Sequence, residues 1–488
     1  MDNVKSRTKT AAVILALVLV SAFILRLLPV LRESVGGDEL FTWHVVSQSW
    51  GAALQTVEND ALTPPLHVVL LKAWRSLVGP SLPALRLLSF FCGLAAVALT
   101  IVLGRMVFPE PRVSLLAGAL VACNELQIFA SFYVRHYSLY TALVLLLLIL
   151  VWQATKKPDS GRLWLGFAAT AVVLVYTHHL GWLFILATLP LVLSTRRVKD
   201  FWRWVASCAV AFLLFLPWII IEFPVFKARG PDMNITWMPP ANGKSFLEIL
   251  GMFVGKPFWK GSLFLPVVAG LVLITAAMIG LLRPSGAPPR PQEKRAALLL
   301  GGAGLCVPIF LLLVGLPPLK LPYWWPRHLI PAQAPLVLLA SCGFFRLVRR
   351  SRIAAALGVS ALLALQLVPT LDEVLRFKFE PYNRAAAYLL QESPPGVGIY
   401  NPWARGTEFL NFHLKPKRHA RPLPSEPDLE ARLPDSVWVV FRPASKEDSD
   451  GVNGLLRRGY EVLRTISFEK RKSDTHGLRV VLLKKPSS

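Results

Sequence analysis

Cysteine is scarce and poorly placed for cross-linking. Cys92, Cys123, Cys208, Cys306 and Cys342 all fall inside apolar runs, and no Cys-x-x-Cys spacing occurs. Neither a disulfide framework nor a thiolate zinc site follows, and the five read as small core residues. Acidic residues are also few: 29 Asp and Glu stand against 53 Lys and Arg, a net charge of +24. Such an excess can mark a nucleic-acid binder, but no basic helix or aromatic-basic module is present. There is no internal repeat of fixed period. Charged residues make up only 17% of the 488 residues, against 54% hydrophobic. The mean hydropathy is +0.50. That composition excludes an ordinary soluble globular protein.

What the chain has in abundance is apolar sequence in runs of about twenty residues, enough to cross a roughly 30 Å hydrocarbon core. The runs predict a polytopic α-helical membrane protein of about eleven spans, at 11–31, 83–105, 113–132, 136–154, 162–179, 181–195, 203–222, 261–282, 296–316, 327–346 and 353–370. The first run follows Lys5, Arg7 and Lys9 and is longer than the core of a signal peptide, so it reads as a retained span. Lys and Arg gather in alternate short loops, such as Arg196–Arg203 and Arg346–Arg352. The positive-inside rule places those loops and the N-terminus in the cytoplasm of a cell (inner or plasma) membrane. An odd number of spans then leaves the C-terminus outside. The Pro- and Gly-rich stretch 283–292 reads as a cytoplasmic linker. The apolar piece 65–78 carries Lys72 and Arg75, is too short to span, and reads as a helix lying in the interface.

Beyond residue 372 the composition turns polar. Strand-like alternation at Ser436–Phe441 and Leu478–Leu483, with helical periodicity at Asn383–Gln391 and Gly451–Arg458, predicts a small α/β domain. The expected organisation is a transmembrane catalytic domain over 1–371, with a first outer loop at 32–82, and an extracytoplasmic domain over 372–488.

On this topology four polar stretches share the outer face. They are Gly36-Gly37-Asp38-Glu39 with Asp60 further on; Asn124-Glu125 with Tyr133-Val134-Arg135-His136-Tyr137; Tyr176-Thr177-His178-His179; and Tyr323-Trp324-Trp325-Pro326-Arg327-His328. Ionisable groups near hydrocarbon are costly and usually functional. Each stretch has a plainer reading. Asp38-Glu39 fits a solvated helix cap, Trp324 and Trp325 an aromatic belt, and Arg135 and Arg327 lipid-snorkelling side chains. All of these would have to hold together on one face. Adjacent residues on a helix point about 100° apart, so one metal ion using both His178 and His179 is disfavoured. No metal or other cofactor is expected.

The arrangement suits a sugar carried on a polyprenyl phosphate. The lipid tail lies in the bilayer and the phosphate at its surface. Attack by an acceptor hydroxyl on the anomeric carbon expels a phosphate that gains charge, and preorganised cations stabilise it. Arg327 and Arg135 suit that role because a guanidinium forks onto phosphate oxygens. A carboxylate across the sugar takes the hydroxyl proton, and Asp38 in the first outer loop fits that role. Tyr137, Trp324 and Trp325 offer rings for the sugar face.

Here the chain resembles the GT-C membrane glycosyltransferases, specifically the bacterial relatives of the dolichyl-phosphate-mannose protein mannosyltransferases (family 39 and its neighbours). Asp38-Glu39 resembles the family's Asp-Glu pair in the first outer loop. Asp60 through Thr63-Pro64-Pro65-Leu66 resembles its acid and Pro-Pro-Leu element. Arg135-His136-Tyr137-Ser138-Leu139, Tyr176-Thr177-His178-His179 and Pro326-Arg327-His328-Leu329-Ile330-Pro331 resemble its later motifs. The likeness spans about residues 10–350. It implies Asp38 as catalytic base with Glu39 beside it, and Asp60, Arg135, Tyr137, His178, His179, Arg327 and His328 as substrate-binding residues. Arg327 would hold the lipid phosphate. The sequence departs from the family at Tyr133, where an acid is frequent, and at His328, where Tyr is common.

The implied partners are a polyprenyl-phosphate-linked sugar, a protein, glycolipid or polysaccharide acceptor, and membrane lipids, with no nucleic acid. The main rival is a lipid or sugar transporter or flippase. Transporters show inverted repeats and charges at the midplane, whereas here the polar groups gather at one face. A second rival is a metal-dependent relative with Asp38, Asp60 and Glu125 around a divalent cation.

Overall fold

The computed structural model describes residues 2–60, 63–157, 159–229, 242, 272, 274–279, 291–316, 326–375, 379–394, 396–414, 417–423, 433–468 and 477–485. The chain divides into two compact units. One is Met1–Val30 with Phe41–Asp372, and the other is Leu31–Leu40 with Glu373–Ser488.

The first unit is helical. In order it contains α1 (Asp2–Arg32), α2 (Gly37–Ser47, entering the unit at Phe41), α3 (Trp50–Asp60), α4 (Leu66–Val78), α5 (Leu82–Val107), α6 (Pro111–Ala122), α7 (Glu125–Phe132), α8 (Tyr137–Lys156), α9 (Gly161–Thr177), α10 (Gly181–Leu186), α11 (Leu189–Ser194) and α12 (Val198–Arg229). Helices Pro291–Gly301, Val307–Gly315, Ile330–Leu347 and Arg352–Leu375 follow. Among the described residues, six helices are long and apolar enough to cross a membrane, or seven if the bent pair α6–α7 forms one span. Three shorter apolar stretches join them: Gly161–Thr177, Gly181–Ser194 and Arg352–Val368. The predicted span 261–282 and the linker 283–292 lie largely outside the described residues. None of the five cysteines forms a disulfide. Cys123 and Cys342 are buried, whereas Cys306 is exposed rather than a core residue.

Two predicted spans are broken, each for a local reason. In 181–195, Pro190 sits in the first turn of α11 and has no N–H to continue α10. Thr188 donates to the Ile185 carbonyl at the break. In 113–132, α6 and α7 meet at 60°, and the Asn124 side chain accepts from Leu126 N and Gln127 N to start α7 afresh. The carbonyls left at the end of α6 need donors, because a buried unpaired carbonyl is costly. Arg26, fully buried on α1, supplies them: Nη1 donates to Ala122 O at 2.8 Å, Nη2 to Val121 O at 3.2 Å, and Nε to Ser131 Oγ at 3.1 Å. Thr370 Oγ1 donates to Cys123 O, and Asn124 Nδ2 to Gln366 Oε1 at 3.1 Å. Replacing Arg26 by Met keeps the bulk and removes the donors. Arg26→Met is expected to lower stability by about 1–3 kcal/mol, read as a lower melting temperature in detergent. An unchanged melting temperature would show that other donors cover these carbonyls.

Packing follows the same apolar faces. α5 lies against α6, α7 and α8; α8 lies against α9, and α9 against α12; helix Ile330–Leu347 lies on α6 and α8. Small residues let the backbones close up. A Cβ at Gly93 would fall 2.1 Å from Ser131 Oγ, and one at Gly118 would fall 2.4 Å from Ile101 Cγ1.

The second unit carries a five-stranded sheet in the order β2-β1-β3-β5-β4, with β1 (Gly398–Asn401), β2 (Ala420–Pro422), β3 (Ser436–Phe441), β4 (Glu461–Phe468) and β5 (Leu478–Lys484). β1 runs parallel to β2 and β3, and β5 runs antiparallel to β3 and β4. β3 is buried from Val437 to Phe441, as an unbroken apolar run at a sheet centre should be. The helix predicted at Asn383–Gln391 is Tyr382–Glu392, and the one predicted from Gly451 starts earlier, at Lys446. Ser445 caps that start by accepting from Asp448 N. Buried Asp448 pairs with Arg442 at 2.9 Å.

Candidate functional site

Within the helical unit, four histidines meet at helix ends. His67 lies in the first turn of α4, His136 just ahead of α8, His178 just after α9, and His328 in the 3-10 turn Pro326–Leu329. Their ring centroids follow at 6.2 Å (His67–His136), 4.9 Å (His136–His178) and 5.3 Å (His178–His328). Tyr140 stacks on His178 at 4.7 Å. His178 Nδ1 accepts from Leu180 N at 3.1 Å, which assigns the proton of the neutral ring to Nε2.

Burial disfavours the charged forms of His67, His136 and His178. Burial, and then the charge of Arg135, push His67 down to about 3. His136 is held well below the usual histidine range by burial first, then by His178, Arg135, His67 and His328. His178 is held down by burial, then by His328, His179 and Arg135. Unfolded histidines take up protons near pH 6.5. Groups whose folded pKa is depressed therefore contribute stability that is whole above that pH and is lost as pH falls towards their folded values. The melting temperature of the detergent-solubilised protein is expected to fall steadily from pH 7 to pH 5. A flat profile over that range would mean that the folded imidazoles take up protons as readily as the unfolded ones.

Beside His67 and His136 is a pocket also lined by Thr42, Asp60, Thr63 and Arg135. The Arg135 guanidinium, half-buried, reaches Thr42 Oγ1 at 3.4 Å, and its carbonyl accepts from Ser89 Oγ at 3.4 Å. Arg327 lies over the rings of Phe129, at 5.3 Å, and Tyr133, at 5.9 Å. Tyr133, two residues ahead of Arg135, therefore gives Arg327 an aromatic face where the resembled family frequently has an acid. Tyr137 is buried with its ring 4.5 Å from His136. Thus Asp60, Arg135, Tyr137, His178, Arg327 and His328 belong to one linked set of contacts. His179 turns elsewhere, with Nε2 3.5 Å from Glu222 Oε2 on α12. The two neighbouring histidines, both past the end of α9, have different partners. Tyr323, Trp324 and Trp325 lie outside the described residues. Among the described residues, no group of three or more His, Cys, Asp or Glu side chains is placed to hold a metal ion.

Asp38 and Glu39 belong to the second unit. Gly36 N donates to Glu39 Oε2 at 3.0 Å, so buried Glu39 closes the N-terminus of α2 from within its first turn. Asp38, next to it and half-exposed, sits where the helix dipole favours a carboxylate. The segment around them is tied to the rest of that unit. Phe379 N donates to Glu33 Oε2 at 3.3 Å, Asn383 Nδ2 donates to Arg32 O at 3.2 Å, and Ser34 Oγ lies 3.3 Å from His413 Nε2.

Sequence reading passed over His67, Glu222 and Arg26. His67 had a signal: it is the first polar residue after Pro64-Pro65, within an apolar helix. Glu222 and Arg26 are single charges inside long apolar runs, a pattern that marks buried functional or structural groups.

Among solved structures, ArnT from Cupriavidus metallidurans in the apo state matches at 16% identity over 98% of this chain and 98% of that one, with a TM-score of 0.55. The same protein bound to undecaprenyl phosphate matches at 14% identity over 97% and 98%, with a TM-score of 0.57. The oligosaccharyltransferase of Archaeoglobus fulgidus in its apo form matches at 11% identity over 84% of this chain and 64% of that one, with a TM-score of 0.50. At these identities the likeness is one of fold. The chain shares the fold of ArnT, and its long apolar helices make it a multi-pass membrane protein. No protein-family model and no curated protein matches it.

Proposed function

We propose that the protein moves a sugar from a polyprenyl-phosphate donor to an acceptor hydroxyl on the extracytoplasmic side of the membrane. The observation that carries this reading is the set of contacts linking Arg327, through Tyr133, to Arg135, Asp60 and the histidines. It supplies cations, a carboxylate and uncharged polar groups in a fold shared with a protein crystallised on undecaprenyl phosphate. In this reaction Arg327 forks onto the phosphate oxygens, its plane fixed by Phe129 and Tyr133. Asp38 takes the acceptor's hydroxyl proton as the oxygen attacks the anomeric carbon. The carbon–phosphate-oxygen bond breaks, and its electron pair leaves with the polyprenyl phosphate. One in-line displacement inverts the anomeric centre.

The test is transfer by purified protein from a panel of polyprenyl-phosphate-linked sugars to extracted membrane acceptors, read by mass spectrometry. One donor should yield an acceptor heavier by a single sugar, together with bare polyprenyl phosphate. Intact donors across the whole panel would reject the reading.

A further inference from the structure

Two residues of the histidine file each carry a ring nitrogen with no hydrogen-bond partner among the described residues. His67 Nε2 and His136 Nε2 are both buried and without a hydrogen-bond partner. Both residues line the pocket that Asp60 and Arg135 also border. Buried polar atoms are almost always paired, so two orphans on residues that line one cavity point to a missing occupant. The chemistry of the walls narrows what that occupant is. A neutral imidazole nitrogen either donates or accepts one hydrogen bond, according to its tautomer. The two nitrogens therefore call for two donors, two acceptors or one of each. A hydroxyl serves every case, whereas a phosphate dianion serves only two donating nitrogens and an ammonium only two accepting ones. Asp60 on the same wall further disfavours an anion, and Arg135 further disfavours a cation.

We propose that His67 and His136 form a subsite for a hydroxyl of the uncharged sugar on the donor, and so select which sugar is transferred. This rests on the glycosyl-transfer reading and adds a specificity determinant to it. Arg327 would hold the lipid phosphate in any donor, whereas His67 and His136 read the sugar alone. Losing them therefore harms sugar-bearing lipid and spares bare polyprenyl phosphate.

The experiment compares binding of the active panel donor with binding of undecaprenyl phosphate, for wild type, His67→Phe and His136→Phe. It then repeats the donor measurement with monodeoxy analogues of the same sugar. Leaving a buried group unpaired costs enough to weaken binding by about 5- to 100-fold. Each Phe variant should lose about that much for the donor and less than about twofold for undecaprenyl phosphate. One monodeoxy analogue should be penalised in wild type and no further in the variants. Binding of undecaprenyl phosphate also reports that the variant is folded. If a Phe variant binds neither lipid, His67→Gln and His136→Gln decide, because they keep a donor and an acceptor. Recovery of undecaprenyl phosphate binding with selective restoration of the donor supports the subsite, and any other pattern overturns it. Unchanged donor binding in the Phe variants, or equal penalties for every deoxy analogue, would mean that the pocket holds only water. If wild type transfers no sugar from any donor, the glycosyl-transfer reading falls and the subsite with it. Normal transfer with indifferent histidine variants sinks the subsite alone.

Discussion

Asp38→Asn is expected to lower the turnover of sugar transfer by about 100- to 10,000-fold, the usual contribution of a positioned general base. Binding of the polyprenyl-phosphate donor should change little, because the amide keeps the size of the carboxylate and the proposed contact with Asp38 is to the acceptor. The local structure favours a clean result. Asp38 is half-exposed in the first turn of α2, while the cap of that helix is made by Glu39 through Gly36 N. Neutralising Asp38 therefore leaves that cap in place, and the charge–dipole interaction it gives up is about 0.3–1 kcal/mol. Steady-state kinetics at saturating donor and acceptor, with expression checked alongside, would settle it. Wild-type turnover in the variant would remove Asp38 from the chemistry.

The second large effect is at Arg327. Removing one preorganised group that stabilises developing charge costs about 100- to 1,000-fold in rate, so Arg327→Ala should lose that much in kcat/KM for the donor. The KM for the acceptor should move little. Arg327→Lys should recover only part of the loss, since an ammonium keeps the charge but not the planar fork. Varying donor and acceptor independently separates the two constants. A loss confined to the acceptor would place the guanidinium on the wrong substrate.

Much of the helical unit was legible because its cause is local. Runs such as 83–105 and 136–154 appear as α5 and α8 within two residues at either end, since apolar length alone specifies a span. Breaks were harder. The 113–132 run reads as continuous, yet it turns at Asn124, and the partners that make the turn tolerable are Arg26 and Thr370, which donate, and Gln366, which accepts. Partners 96 to 247 residues away leave no periodic trace. The strands β3 and β5 showed as short runs rich in Val and Leu within polar sequence, whereas β1 and β2, of four and three residues, are too short to carry a pattern. At the site, the motif stretches containing Arg135, His178 and Arg327 were visible as polar islands in apolar sequence. That His67 joins them, that His179 turns to Glu222, and that Arg327 stacks on Tyr133 are consequences of packing between elements. The grouping of Leu31–Leu40 with Glu373–Ser488 is of the same kind, made by hydrogen bonds such as Phe379 N to Glu33.

The most direct measurement follows one labelled donor through purified protein reconstituted in vesicles with acceptor present. Sugar transfer predicts three coupled results: the label on the acceptor, an equal amount of bare polyprenyl phosphate, and an anomeric configuration opposite to the donor's. Donor that crosses the bilayer with its sugar still attached, or product of retained configuration, would contradict an inverting displacement. The first of those outcomes would instead identify a lipid transporter.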